Sequence, residues 1–399
     1  MRIFLNGLGA SSGSGLTYLR NVLPHLAEQG QVFTTLAVDP SLRPEFSHLH
    51  RLSMPDLRPP RAAGPRFWME QTVLPRLIQD TQSDVLISAG NFALWRSSVP
   101  QILLSGNSLY TSCDFSRDLV ARREYEMWLD TRVKAWFARS SIRWADSTIA
   151  PSRSFARDLE RWTGKKVYTI PHGFDLNKFR SSSRPLNPDI RQKLDLDNDG
   201  LRLLFVSHYN YYRNFETLFH ALPIVRQRLA SRKLRLFLTC RLQSRQNPGS
   251  YRTEHAAELV KQLGIFDEVV ELGSVPYEQL HHIYEACDIY VTPAYTETFA
   301  HPLVEAMACG LPVVASDLPV HREVCGDAAL FFPRFSPDQL AEQVMRLANS
   351  AGLYRRLSAC GSIRSRSFSW ANHVSEILSL AGALIQPQID LLPNAVWTA

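Results

Sequence analysis

Two glutamates, Glu297 and Glu305, stand eight positions apart in a segment whose pattern predicts a strand, a loop, a helix, a second loop and a second strand. Pro302 suits the first position of that helix, because its missing N–H is one that a helix leaves unpaired. Gly310 and Pro312 follow at the spacing expected where the helix ends. Glu297 is therefore predicted in the loop before the helix, and Glu305 about one turn inside it.

This arrangement favours the binding of a polyol that carries an anionic tail. Backbone N–H groups at the N-terminus of a helix bind anions such as a diphosphate. A carboxylate accepts hydrogen bonds from two neighbouring hydroxyls, and charged acceptors make the stronger bonds. We therefore expect Glu305 to bind ribose hydroxyls and Glu297 to bind sugar hydroxyls near the reacting carbon. A structural acidic pair on an ordinary helix is the alternative.

The same segment resembles the signature of the family 4 glycosyltransferases, which are retaining enzymes of the GT-B fold. The resemblance is carried by the spacing of the two glutamates and by the run P-L-V-E-A-M-A-C-G-L-P-V-V-A-S at 302–316. It implies that the loop of Thr298, Phe299, Ala300 and His301 contacts the phosphate and sugar of the donor through backbone groups. The family usually has Gly-Phe-Gly where this chain has Thr298-Phe299-Ala300, so added methyl groups are expected to reshape the sugar pocket.

A second match to the family lies at 205–218, where a strand, a loop and a helix start are predicted. Family members have Gly-Arg in this loop and a lysine five residues later, and both basic side chains face the donor diphosphate. Those basic positions correspond to His208 and Arg213, beside Ser207, which we also expect at the donor. Arg213 keeps a permanent charge and a fork that suits phosphate, whereas a histidine is only partly charged near neutral pH.

Three further positions take their expected roles from the resemblance. The glycine-rich loop after the first strand implies that Gly13 and Gly15 allow close backbone approach to the donor and acceptor, and it lacks the P-loop lysine of an ATPase. Val275 corresponds to the loop against the nucleobase. Asn107 stands where many members have a histidine near the acceptor; it would orient a hydroxyl without acting as a base, and a simple turn residue is the alternative.

Strands and helices alternate along the whole chain, with six strands predicted in each half, which favours parallel sheets covered by helices. We expect an α/β protein of the GT-B fold, in which two Rossmann-like domains face each other across a cleft. Residues 1–177 form the acceptor-binding domain, residues 178–371 form the donor-binding domain, and a helix at about 372–390 crosses back to the first. The polar stretch 175–200 is the predicted linker. One long helix is predicted at 118–143.

The composition of the 399 residues is that of a soluble enzyme, with 45% hydrophobic and 21% charged residues. Its six cysteines include no Cys-x-x-Cys pair, which indicates a reducing compartment, so we expect a cytoplasmic protein. No Asp-x-Asp motif stands in a fitting place, and no metal or other cofactor is expected. Nothing resembles a nucleic-acid-binding motif.

The basic residues are uneven, with 21 Lys and Arg against 16 Asp and Glu over 1–175, within a net charge of +6. We interpret the excess as solvated surface charge; attraction to a phosphorylated acceptor or to the inner face of a membrane is the alternative. The basic, proline-broken segment 58–68 is interpreted as a surface loop with Trp68 packed underneath. An acceptor lid or a membrane contact is the other option there.

The expected activity is the transfer of a hexosyl group from a UDP- or GDP-linked sugar to the hydroxyl of a glycan, a lipid-linked or a small-molecule acceptor. No enzymic nucleophile stands out, which favours front-face attack with retention of configuration. Two alternatives stay open. A nucleotide-sugar epimerase would need an acid/base set around the sugar, and a non-catalytic nucleotide-sugar-binding protein would account for His208 and Asn107.

Overall fold

A computed structural model describes residues 1–10, 13–181, 185–195, 200–229, 232–244, 246–247 and 251–386. Parts of the predicted linker, two serines of the glycine loop and the last residues of the predicted C-terminal helix lie outside the described residues, at 182–184, 196–199, 11–12 and 387–390.

Within these residues the first half of the chain forms one seven-stranded parallel sheet in the order β3-β2-β1-β4-β5-β6-β7. Its inner strands β4 and β6 are short and buried on both faces, as expected of parallel strands covered by helices. The strands are β1 (Arg2–Asn6), β2 (Phe33–Ala37), β3 (Leu52–Ser53), β4 (Val85–Ser88), β5 (Gln101–Leu104), β6 (Ser147–Ala150) and β7 (Tyr168–Thr169). The two-residue β3 was not predicted, because so short an edge strand shows no periodicity.

The described second half forms a six-stranded parallel sheet in the order β10-β9-β8-β11-β12-β13. Four of its strands have the bounds that the sequence predicts. The strands are β8 (Leu201–Phe205), β9 (Leu234–Leu238), β10 (Val269–Glu271), β11 (Ile289–Thr292), β12 (Val313–Ser316) and β13 (Ala329–Phe332).

Helices cover both sheets. Those that follow strands of the first sheet are α1 (Gly13–Glu28), α2 (Arg43–Phe46), α3 (Ala63–Asp80), α4 (Cys113–Ala121), α5 (Tyr125–Trp144) and α6 (Arg153–Thr163). Two short helices follow, α7 (Leu176–Arg180) and α8 (Pro188–Asp195). The later helices are α9 (Phe215–Arg228), α10 (Glu254–Gln262), α11 (Leu280–Glu285), α12 (His301–Ala308), α13 (Pro319–Cys325), α14 (Pro337–Ala348), α15 (Ala351–Ser365) and α16 (Trp370–Ile385).

Helix α16 returns from the second domain to the first, as the sequence predicts. Ser369 caps its N-terminus, and its apolar face buries Trp370, Val374 and Ile377 in the core around β1 and α1. The helix begins against Gly173, where a Cβ would collide with the backbone of Trp370. This close contact fixes the point at which the chain crosses between the domains.

The helix predicted at 118–143 is wrong as one element, because the chain breaks it at Arg122–Glu124. Arg123 has a left-handed φ of 59°, and α4 and α5 therefore diverge. The break lets α4 leave the first sheet and pack on the second domain, where Phe115 and Leu119 are buried in its core. Arg122 adds ion pairs of 2.7 Å to both Asp118 and Glu216 of α9, a partner that local sequence cannot reveal.

The strand order reverses in both sheets at the point that faces the cleft. The reversal lies between β1 and β4 in the first sheet and between β8 and β11 in the second. Ligands of open α/β sheets bind beyond the carboxyl ends of strands at such reversal points. The loops that follow these four strands therefore form the two walls of the cleft.

Candidate active site

One cavity of about 680 Å³ lies between the two domains and is lined by residues of both. Every candidate residue from the sequence faces it, although those residues come from both halves of the chain. On the second domain they are Ser207, His208, Arg213, Val275, Glu297, Thr298, Phe299, Ala300, His301 and Glu305, and on the first domain Gly13, Gly15 and Asn107.

Glu305 is held on α12 with its side chain buried against α11. The Tyr284 hydroxyl donates a hydrogen bond of 2.8 Å to its carboxylate. Burial disfavours the charged form and raises the pKa of Glu305 to about 7, although the bond from Tyr284 opposes that shift. A buried acceptor with spare lone pairs is suited to two neighbouring hydroxyls of a sugar.

Arg213 and Glu297 form an ion pair at the cavity, although they come from different loops. Arg213 ends the short 3-10 helix Tyr211–Arg213 after β8, and Glu297 lies in the loop after β11. Both side chains are mostly buried, and the Nε of Arg213 has no hydrogen-bond partner among the described residues. The guanidinium therefore keeps a free donor beside its carboxylate partner.

Asn214 fixes the position of Arg213. It adopts a left-handed φ of 56° and precedes α9. Its amide donates to the carbonyl of Pro293 at 3.0 Å and to that of Arg334 at 2.7 Å, and Thr217 donates to its Oδ1 at 2.9 Å. These buried bonds hold the loop after β8 against the loop that carries Glu297.

His208 and Ser207 lie in the same loop as Arg213 but differ from it in charge. Burial and the neighbouring Arg213 lower the pKa of His208 below its usual value, so its neutral form dominates near neutral pH. The Ser207 hydroxyl donates to the carbonyl of His208 at 2.6 Å, and the Ser207 backbone N–H donates to Thr239 Oγ1 at 2.9 Å. The structure thus leaves Arg213 as the permanent positive charge of this loop.

The loop before α12 is strained and tied to the first domain. Ala300 has φ 64° and ψ 66°, a left-handed conformation that costs a residue with a Cβ about 1–2 kcal/mol. Glycine avoids this cost, which explains why the family usually has glycine there. Ser152 of the first domain donates to the carbonyl of Thr298 at 2.7 Å. Helix α12 begins at His301, so Pro302 is its second residue and not the predicted first.

A cluster of histidines and aromatic rings forms the floor of the cavity where the domains meet. His172 stacks on His301 with ring centroids 5.1 Å apart and on Trp370 at 5.5 Å, and Tyr18 donates or accepts a 3.0 Å bond with His373. Burial lowers the pKa of His301 and His373 to about 4 and that of His172 well below its usual value. Sequence reasoning missed this cluster: of its members only His301 was predicted to face the donor, and no local pattern indicates that His172, Trp370 and His373 meet there.

The N-terminal wall is built from small and neutral residues. Gly15 is required by packing, since a Cβ there would lie 2.8 Å from the Cα of Ala10, whereas Gly13 has φ 57° and open space around it. Asn107 accepts a 3.1 Å hydrogen bond from the N–H of Leu109 and so caps a 3-10 helix while it faces the cavity. Asn91, with φ 61°, accepts from the N–H of Gly106 at 2.8 Å.

Val275 lies on the opposite domain after β10 and lines the same cavity beside Tyr277 and Leu280. Gly273 lies two residues before Val275 and has φ 79°, a left-handed conformation that favours glycine. Within the described residues, no group of three or more His, Cys, Asp or Glu side chains is arranged to hold a metal ion.

Two family profiles match almost consecutive parts of the chain. Residues 16–178 match the profile described as Glycosyltransferase Family 4, and residues 187–362 match Glycosyl transferases group 1. The chain belongs to the family 4 glycosyltransferases. The family resemblance of the Glu297–Glu305 segment is thereby confirmed.

Relatives and solved structures agree with this family. The chain is 29% identical over 240 residues to mannosylfructose-phosphate synthase of Agrobacterium fabrum, covering 58% of this chain and 51% of that protein. Sucrose-phosphate synthase of Thermosynechococcus elongatus superposes with a TM-score of 0.73 at 20% identity, over 96% and 99% of the chains. Anabaena HepE, solved with UDP-glucose, gives 0.70 at 18%, over 96% and 100%. The structural likenesses establish the GT-B fold, and the chain spans about half the length of the curated relatives it matches.

Proposed function

We propose that this protein is a retaining glycosyltransferase that moves a hexosyl group from a UDP- or GDP-linked sugar to an acceptor hydroxyl. The observation that carries the proposal is the convergence of Arg213, Glu297 and Glu305 on one cavity at the strand-order reversal of the second sheet. The structural similarity to HepE, which was solved with UDP-glucose, supports a nucleotide sugar as donor.

Each charged group has a part in the proposed donor complex. Arg213 and the backbone N–H groups at the start of α12 bind the diphosphate, because both are hydrogen-bond donors that stay protonated at neutral pH. Glu305 accepts hydrogen bonds from the ribose hydroxyls. Glu297 accepts hydrogen bonds from sugar hydroxyls near the anomeric carbon, and Val275 packs against the base.

In the proposed complex the donor diphosphate and Glu297 compete for Arg213. The diphosphate has to draw the Arg213 guanidinium away from Glu297, and its two negative charges favour that exchange. The exchange frees the Glu297 carboxylate to face the sugar. Donor binding and arrangement of the reacting centre are thus coupled through one salt bridge.

The proposed chemical step takes place on one face of the sugar. The bond from the anomeric carbon to the diphosphate oxygen breaks, and the acceptor oxygen forms its bond to the same face. The acceptor proton passes to the leaving diphosphate oxygen, so the configuration is retained without an enzymic nucleophile. The protein contributes positioning and stabilisation of the developing negative charge.

A non-catalytic nucleotide-sugar-binding protein is the second candidate, because the neutral His208 leaves the phosphate loop with one permanent charge. Incubation with UDP-glucose and with GDP-mannose, followed by NMR of the released sugar, separates the two. The proposed enzyme releases the α-anomer first, by slow hydrolysis with retention. Donor binding by calorimetry with no released sugar would assign the chain to the binding class, and an initial β-anomer would refute retention.

Thermal stabilisation by a series of nucleotide sugars identifies the base and the sugar of the donor. A ligand that binds only the folded state raises its stability by mass action, so the matching nucleotide sugar should give the largest rise in Tm. Glu305→Ala provides the control, because its response to the matching donor should fall toward that of an unrelated nucleotide sugar. An epimerase would instead convert the donor into its epimer without any acceptor, which the same NMR spectra report.

A further inference from the structure

Three exposed tryptophans form one surface on the N-terminal domain, outside the cleft. Trp68 of α3, Trp95 of the loop after β4 and Trp136 of α5 are 60%, 43% and 62% exposed. The interpretation of Trp68 as packed underneath a loop is therefore wrong. Large exposed apolar surfaces are unusual on soluble proteins and mark sites of interaction.

Ring contacts make this surface continuous. Trp68 packs against Trp95 with centroids 5.5 Å apart, and Trp95 packs against Phe67 at 5.8 Å. Phe67 contacts Phe137 at 5.3 Å, and Phe137 contacts Trp136 at 4.8 Å. The chain of rings holds the three exposed indoles in a fixed arrangement across α3, the loop and α5; we call it the tryptophan surface.

Helix α5 extends the tryptophan surface with an apolar stripe on its outer face. Tyr125, Leu129, Val133 and Trp136 are all exposed and follow one another at spacings of four, four and three residues. These spacings place the four side chains on one side of the helix over about 16 Å. This apolar stripe does not pack in the core of the domain. The side of α5 that faces the core carries Ala135, Ala138 and Ile142 instead.

Arginines share the same faces as the exposed rings. Arg132 lies four residues before Trp136, and Arg139 and Arg143 lie three and seven residues after it. Arg96 follows Trp95. All four arginines are exposed. The acidic residues of α5, Glu126 and Asp130, lie on its other flank, and Asp130 is paired with Lys134 at 2.6 Å. The tryptophan surface therefore combines apolar rings with positive charge.

We propose that the tryptophan surface is a docking surface for a membrane whose headgroups are anionic. Tryptophan rings are favoured at the boundary between hydrocarbon and water, and arginines beside them are attracted to negative headgroups. A second copy of the chain would bring the same positive charges together across a symmetric contact, which disfavours self-association. Charge complementarity therefore selects the anionic membrane as the occupant.

The tryptophan surface adjoins the acceptor side of the cleft through one loop. Ala89, Gly90 and Asn91 of the loop after β4 line the cavity. Trp95 of the same loop belongs to the tryptophan surface, and Phe92 contacts that surface through Phe67 at 6.0 Å. Docking would bring this rim of the cavity to the headgroup region, where an acceptor carried on a lipid is presented. This consequence for the acceptor rests on the proposed function, whereas membrane docking itself does not.

Co-sedimentation of the full chain with vesicles tests the proposal. Vesicles of phosphatidylcholine and phosphatidylglycerol in equal parts should bind the protein, and vesicles of phosphatidylcholine alone should bind it much less. Added salt should weaken the binding, since exposed charges are screened. Absence of binding to the mixed vesicles at low salt would overturn the proposal.

Paired variants localise the contact. Trp68→Ser with Trp136→Ser should weaken vesicle binding at least about tenfold, because two indoles no longer leave water. Phe266→Ser with Ile363→Ser removes two equally exposed apolar side chains from the second domain and should leave binding unchanged. Arg139→Gln with Arg143→Gln should weaken binding by roughly fivefold per arginine, and Arg355→Gln with Arg356→Gln on α15 is the control for charge. Equal losses in the surface and control variants would overturn the assignment.

Two further measurements separate the remaining outcomes. Sedimentation velocity of the wild type and the double tryptophan variant shows whether the tryptophan surface joins two copies; a dimer that the variant loses would replace the membrane as its occupant. Calorimetry with UDP and GDP reports the cavity independently. A wild-type protein that binds UDP or GDP but does not bind the mixed vesicles would refute membrane docking and leave the proposed function standing. A wild-type protein that binds the vesicles but neither nucleotide would refute the proposed function and leave membrane docking standing.

Discussion

The C-terminal wall of the cleft carries the charged side chains that face the cavity, Arg213, Glu297 and Glu305, whereas the N-terminal wall presents glycines and neutral amides. Glu305 has a pKa raised to about 7, and Arg213 is paired with Glu297. Across the cavity, the side chains of Asn91 and Asn107 are already bonded to backbone N–H groups. The charged side chains of the C-terminal wall suit a charged donor, and the small residues of the N-terminal wall leave room for an acceptor.

The largest expected effect follows from Arg213, the permanent cation of the charged wall. Arg213→Ala should lower turnover by about 100-fold or more, as for the loss of one preorganised donor in a water-poor site. Steady-state transfer or donor hydrolysis measures it. Arg322→Ala removes an exposed arginine paired with Asp317 on the same domain and should have no such effect. Similar activities of the two variants would contradict the assignment of Arg213 to the diphosphate.

Glu305 should control donor affinity. Glu305→Ala should weaken nucleotide-diphosphate binding by about 1.5–3 kcal/mol, the usual loss of a hydrogen bond to a charged group, measured by calorimetry. Asn107→Ala on the neutral wall is the matched variant; it loses a cap worth about 1 kcal/mol of stability but should keep donor affinity. A Glu305 variant that is folded and binds normally would remove the contrast between the walls.

The pH dependence of Glu305 sharpens the same test. Its pKa is raised from 4.5 to about 7, so the folded chain keeps a proton that the unfolded chain has lost. The stability of the ligand-free protein should therefore fall as pH rises from about 4.5 to 7, whereas donor affinity should rise over the upper part of that range as the carboxylate forms. Glu305→Gln should flatten both profiles, in thermal unfolding and in calorimetry. Profiles that keep their slopes in this variant would assign the pH dependence to another group.

Glu297→Gln distinguishes a role in the reaction from a role in binding. Turnover should fall about tenfold or more, because a charged acceptor near the reacting carbon is lost. Nucleotide-diphosphate affinity should stay the same or increase, since Arg213 is released from its pair. Asp317→Asn, in the exposed pair with Arg322, is the control. A matched drop in affinity and turnover would place Glu297 at the diphosphate.

The sequence predicts most of the strands, and the elements on which the two carboxylates lie, because these signals are local. The helix of Glu305 is bounded by Pro302 and Gly310, and Gly310 does adopt the left-handed φ of 74° that a helix end requires. The bonds of the site depend instead on pairs distant in the chain. Arg213 and Glu297 are 84 residues apart, and nothing near either residue indicates that they meet.

The local sequence also does not predict which residues pack between the domains. The run 118–143 has helical composition throughout, and the structure breaks it where Arg122 pairs with Glu216 on α9 of the other domain. The aromatic residues of α3 and α5 have ordinary helical spacing, so the sequence does not show which of them face solvent. Their exposure depends on which side of each helix the sheet occupies.

Substitutions of His208 test whether a second positive charge beside Arg213 would increase activity. His208→Ala should lower activity less than Arg213→Ala does, because burial and Arg213 keep this imidazole mostly neutral near pH 7. His208→Arg should retain or raise activity, since it supplies a second permanent charge to the diphosphate. Both are measured as kcat/KM for the donor. Loss of transfer in His208→Arg with an active Arg213→Ala would place His208 at the sugar or acceptor.

The smallest effect is expected from chelation. The developing charge on the diphosphate is assigned to Arg213 and to the N–H groups at the start of α12, so a divalent cation has no separate part in the proposed step. Activity should be unchanged after dialysis against EDTA and after addition of magnesium or manganese. The Arg213→Ala variant makes the test stricter, because a cation could then substitute for the missing charge and restore part of its turnover. Loss of wild-type activity in EDTA, with recovery on adding metal, would show that the C-terminal wall needs a charge beyond its own side chains.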